Sequence, residues 1–61
     1  MNVSVFYKCR WCEKIEAVTV ETRRTPAELM RVYIATNPHM SHDCGYQRVG
    51  LADLIGVREE T

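Results

Sequence analysis

Apolar residues in the first third of the chain recur at a period of two. Val3, Val5 and Tyr7 fall on one side of an extended segment and Phe6 on the other. A second run, Ile15 to Thr22, sets Val18 and Val20 against Ile15 and Ala17. β-Branched and aromatic residues in this pattern predict two strands. The intervening Cys9-Arg10-Trp11-Cys12 forms the tip of a hairpin. A lone hairpin is barely stable in water, so the rest of the chain must cover it.

The period changes at Thr25-Pro26-Ala27-Glu28. Thr25 is suited to cap a helix, Pro26 to take its first position and Glu28 to reach back to the Thr25 backbone. The helix is expected to end at about Thr36 or Asn37, before Pro38, which disfavours helical geometry in the residue preceding it. Leu29, Met30, Val32, Tyr33 and Ile34 sweep an arc of roughly 200°, well beyond the stripe of an ordinary surface helix. This predicts a helix covered on two sides, by the hairpin and by something else. The candidate for the second cover is Gly50 to Gly56, read as a short helical turn with Leu51, Leu54 and Ile55 at i, i+3 and i+4 and Gly56 as its stop. The alternative leaves part of that flank for a partner.

A chain of 61 residues has room for one core. A core this small is marginal unless a disulfide, a metal or a partner supports it. Three cysteines cannot all pair within one chain, and Cys-x-x-Cys with nearby histidines is a metal pattern. All three cysteines and both histidines fall in two clusters, Cys9 to Cys12 and His39-Met40-Ser41-His42-Asp43-Cys44. A structural zinc takes four ligands, commonly all cysteines, three cysteines with one histidine, or two of each. His42 and Cys44 share a face in an extended segment. The expected ligands are therefore Cys9, Cys12, His42 and Cys44, with His39 as the alternative to His42. Lys8, Arg10, Lys14 and Arg48 flank the clusters and would offset the formal charge of about −1 on Zn²⁺ with three thiolates and a neutral imidazole. The expected fold is a small zinc-stabilised α+β domain over residues 1–61. It has a β-hairpin carrying Cys-x-x-Cys, one main helix, a second ligand loop and a short C-terminal helical turn, with residues 58–61 as a frayed tail.

Cys9, Cys12, His42 (or His39) and Cys44, framed by Phe6-Tyr7-Lys8 and Gly45, give the chain a resemblance to small zinc-finger and zinc-ribbon proteins. It also looks like the compact zinc proteins of bacteriophage and bacterial small open reading frames. Where a ribbon places a second Cys-x-x-Cys, this chain has His-x-x-His-x-Cys. The resemblance implies binding or scaffolding rather than catalysis, with protein or nucleic acid as partner.

Eight Lys or Arg balance eight Asp or Glu, a poor match to proteins held on duplex DNA by phosphate neutralisation. A redox role for Cys-x-x-Cys needs a βαβ setting. A catalytic zinc would keep a position for water, and no acid or base is well placed beside the clusters. Tyr7, Tyr33 and Tyr46 read as packing residues, and no enzyme is expected. Neutral charge, the wide apolar arc of the helix and the adaptable Met30 point to a protein-interaction or regulatory module. The alternative is binding of single-stranded nucleic acid, with Trp11 stacking on a base while Arg10 meets phosphate. An open hairpin edge and a broad apolar helix would also suit a homodimer. Met1 to Tyr7 lacks the basic lead and long apolar run of a secretory signal. No stretch approaches the roughly 20 apolar residues of a membrane span. Reduced thiols fit a cytoplasmic location.

Overall fold

In the computed structural model, which describes residues 1–45 and 47–60, five elements follow in order: β1 (Asn2–Cys9), β2 (Ile15–Glu21), α1 (Pro26–Thr36), β3 (His39–Gly45) and β4 (Arg48–Glu59). The strands form one antiparallel sheet in the order β2-β1-β4-β3. Tyr46, expected as a packing residue, and Thr61, the end of the expected tail, lie outside the described residues.

The hairpin forms where the alternation places it. On β1, Val3, Val5, Tyr7 and Cys9 are buried on one face, and β2 sets Val20 opposite Val3 and Val18 opposite Val5. The helix lies over this face. Leu29 is its one buried residue, packing with Val3, Val5, Tyr7 and Ala52, while Tyr33, Met40, Leu54 and Val57 close the margins. The Tyr7 hydroxyl donates to the Asn37 carbonyl at 2.8 Å, tying the helix end to β1.

The helix starts as its sequence directs. Thr25 Oγ1 accepts from the Glu28 backbone N–H at 3.2 Å, and Pro26 opens the first turn. The Thr25 hydroxyl in turn donates to Glu28 Oε1 at 3.2 Å, so Glu28 reaches back to the side chain of the cap and not, as expected, to its backbone. Removing this cap by Thr25→Ala should lower stability by about 1 kcal/mol in urea unfolding of the metal-loaded protein.

Three further expectations are corrected. Gly50 to Gly56 is no helical turn; it lies within β4. The second ligand segment is not a loop but an edge strand, β3. Among the described residues the helix is covered on one side only, and Ile34 stays 55 % exposed. The first correction has a clear physical origin. The inward positions of β4 include Gly50 and Ala52, both buried but small, whereas outward-facing Val49 and Leu51 are large. A bulge then leaves Ile55 between Leu54, opposite Tyr7, and Gly56, opposite Phe6. It puts Val57 inward against Val5 and breaks the period of two that marks a strand. Nor does β4 stop at Val57. Arg58 and Glu59 pair with Ser4 and Val3, and the Glu60 N–H donates to the Asn2 carbonyl at 2.9 Å.

The far face of the sheet is covered by no element among the described residues. It presents Ile15, Val49 and Leu51 to solvent, and Phe6 under the Arg58 guanidinium at 5.4 Å. Among the described residues no helix is long and apolar enough to cross a membrane.

Candidate metal centre

The site forms where β1 and β3 flank β4 at one end of the sheet. Two strand spacings separate β1 from β3, about 9.5 Å. Cys9 pairs with Ala52 and His42 with Gly50, and both side chains rise on the helix face. Gly50 supplies nothing above β4, so the flanking side chains reach across it. Cys9 Sγ and Cys44 Sγ come to 3.3 Å. A Cβ on Gly50 would lie 2.6 Å from Cys9 Sγ, 2.8 Å from Trp11 Cδ1 and 2.9 Å from Cys44 Sγ.

Cys12 joins from the hairpin tip. The Cys9 N–H donates to the Lys14 carbonyl at 2.9 Å and the Glu13 N–H to the Cys9 carbonyl at 3.1 Å. Glu13 closes the turn at φ 61°, a left-handed conformation uncommon outside glycine. This turn brings the Cys12 thiol back toward Cys9.

The three Sγ atoms and a ring nitrogen of His42 all lie within 4.8 Å of one another. A tetrahedron with bonds of about 2.3 Å has edges of about 3.8 Å, so small movements would close the four donors on one ion. All three cysteines are free thiols. His42 is 5 % exposed, and neither of its ring nitrogens has a hydrogen-bond partner among the described residues. Glu16 Oε1 approaches Nδ1 to 2.7 Å but out of line for a hydrogen bond. Leaving a buried polar atom in this state costs about 1–3 kcal/mol, and coordination would remove that cost at one nitrogen.

The electrostatics of the thiols suit a cation. Burial works to raise Cys9, but the N–H groups of Cys12 and Trp11 and the thiols of Cys44 and Cys12 overcome it and bring its pKa from 9.0 down to about 7. Burial pushes Cys44 up to about 11, reinforced by hydrogen bonds to Cys9 and Cys12 and by the charges of Cys12 and Cys9. One thiolate thus forms readily and a neighbour resists, as expected of like charges sharing a small volume. A divalent ion relieves that repulsion and holds the thiols deprotonated. The donor set fits a metal.

The alternative ligand stands elsewhere. His39 projects to the far face, with Nδ1 2.8 Å from Asp53 Oδ1. Asp53 also accepts from Arg10 Nε at 2.6 Å and Arg10 Nη2 at 2.9 Å, and this hydrogen-bonded guanidinium, aided by His39, holds the carboxyl below its usual range. Arg10 is therefore tied to β4 rather than free beside Trp11. Trp11 itself is 73 % exposed. It lines a groove of about 320 Å³ with Cys44, Arg48, Val49 and Gly50. Met30 is half-buried on α1. Sequence reasoning missed Gly50 and Glu16. Only the strand register reveals Gly50 as the partner of His42, and nothing in the sequence marks Glu16.

No family model, curated protein or solved structure matches this chain. Its class rests on the fold and the site, a small antiparallel α+β domain with a cluster of three cysteines and one histidine that could hold a metal ion.

Proposed function

We propose that this chain is a zinc-stabilised binding module in which the metal is structural and the partner is a protein. The carrying observation is the convergence of Cys9, Cys12, His42 and Cys44. Three thiolates and an imidazole suit zinc, whose d¹⁰ shell accepts a tetrahedron without strain. Protein donors fill all four positions, which leaves none for a reacting water and favours scaffolding over catalysis. The protein-binding part is supported by the balanced charge and by the apolar residues of the far face, Ile15, Val49 and Leu51. A small regulator docking on a larger partner would use such a surface.

Cobalt substitution tests the metal reading. One equivalent per chain should give the absorption of tetrahedral Co²⁺ with thiolate charge-transfer bands, and zinc should displace it. An octahedral spectrum, or uptake of no metal, would sink the proposal.

A second reading is favoured by the exposure of Trp11 beside Arg48 in one groove. Single-stranded nucleic acid would stack a base on the indole and place phosphate near the guanidinium, with Arg48 in the part that the sequence gives to Arg10. Quenching of Trp11 fluorescence by oligonucleotides at low salt would support it, and no quenching would remove it.

A further inference from the structure

The placement of Glu16 beside His42 is unusual. It stands on β2, opposite Tyr7, so its side chain rises on the buried face rather than the open one. β2 and β3 are the two edges of the sheet, yet Glu16 Oε1 lies 2.7 Å from Nδ1 of His42. The imidazole is almost wholly buried, while the Glu16 side chain is 46 % exposed. The histidine is held by its surroundings and the carboxylate has room to adjust.

We propose that Glu16 is the positioning residue for the metal ligand His42, accepting the Nδ1 proton and leaving Nε2 as the atom that binds zinc. This rests on the zinc reading above and goes one step beyond it. A neutral imidazole protonated at one nitrogen offers its lone pair at the other. A carboxylate beside Nδ1 favours the proton there, because a donor facing an anion gains a charge-assisted hydrogen bond. Both buried nitrogens are then satisfied, one by the ion and one by Glu16, where neither is now. The same contact turns the ring and makes Nε2 a better donor, the usual service of a carboxylate behind a zinc-bound histidine. The out-of-line approach is corrected by a rotation of the half-exposed Glu16 side chain. The contact also clamps the sheet, since it joins its two edge strands directly.

Two readouts test this, neither of them an activity. In the zinc-loaded protein, long-range ¹H–¹⁵N NMR should show the His42 proton on Nδ1 and the shift of a metal-bound nitrogen at Nε2. Competition against a chromophoric chelator should show zinc affinity reduced about 10- to 100-fold in Glu16→Ala. Glu16→Gln, whose amide oxygen still accepts from Nδ1–H, should keep the tautomer and lose less. Glu21→Gln removes the same charge from the same strand, on the opposite face, and should match the wild type. Metal on Nδ1 with the proton on Nε2, or a Glu16→Ala affinity equal to that of Glu21→Gln, would overturn the role of Glu16 while leaving the site intact. A wild type that takes up no zinc would overturn the site and this role together, and the uptake measurement alone tells the two failures apart.

Discussion

Excess chelator is expected to collapse the dispersed amide NMR spectrum of the zinc-loaded protein to that of an unfolded chain. The apolar core is Val3, Val5, Tyr7, Leu29 and Ala52, with Cys9 at its edge. A core of this size supplies about 3–5 kcal/mol, whereas zinc binding in small fingers is worth about 10–16 kcal/mol at neutral pH. The architecture localises the effect. β3 is an edge strand whose inward residues are Met40, His42 and Cys44, two of the three being candidate ligands. Without the ion, what remains to hold β3 is its ladder to β4, the His39–Asp53 hydrogen bond, the approach of Glu16 to His42 and the packing of Met40. Its amides should therefore exchange first as the metal is titrated out, ahead of those of β1. The pH dependence has a definite sign. A zinc-bound thiolate titrates below the ordinary free-thiol value. Its contribution is complete above that value and is lost as pH falls and protons displace the metal. Spectra unchanged in excess chelator would falsify the structural-metal reading.

What is legible in the sequence follows a physical division. The hairpin and the helix can be read because their signals are local: alternation from Val3 to Tyr7, and a Thr-Pro-x-Glu start that the structure reproduces at Thr25. The cluster of candidate ligands is legible because His42 and Cys44 share a face only if the segment is extended, which it is. β4 misleads for the opposite reason. Its inward side chains are small where the thiols meet over it, and its exposed ones are large, so hydrophobicity marks the wrong face. The wide apolar arc of the helix overstates its cover, since Ile34 is simply left in solvent. Arg10 looks free beside Trp11, but its partner Asp53 is forty-three residues away in sequence. Pairings of that range depend on register, which one sequence does not display.

Gly50→Ala is expected to damage the site far more than a methyl added at Gly56, on the same strand. The new Cβ would fall 2.6 Å from Cys9 Sγ, 2.8 Å from Trp11 Cδ1 and 2.9 Å from Cys44 Sγ, all inside van der Waals contact. Trp11 is exposed and can swing away. Cys9 cannot, being 1 % exposed at the end of β1, a central strand, and Cys44 is tied to the same cluster. Bound metal sharpens the conflict, because it fixes both sulfurs above the glycine and removes their freedom to part. Overpacking of this kind costs about 1–3 kcal/mol. Borne by the loaded state alone, that lowers zinc affinity by about tenfold or more. Gly56→Ala is the matched control, on the same strand with no atom of the described residues within 4 Å of its added methyl, and it should bind zinc as the wild type does. Chelator competition on the two variants separates a general intolerance of β4 from a requirement at one point. Equal affinities would mean that the thiols do not converge over Gly50, whereas selective loss at Gly50 would place the metal above β4, between Cys9 and Cys44.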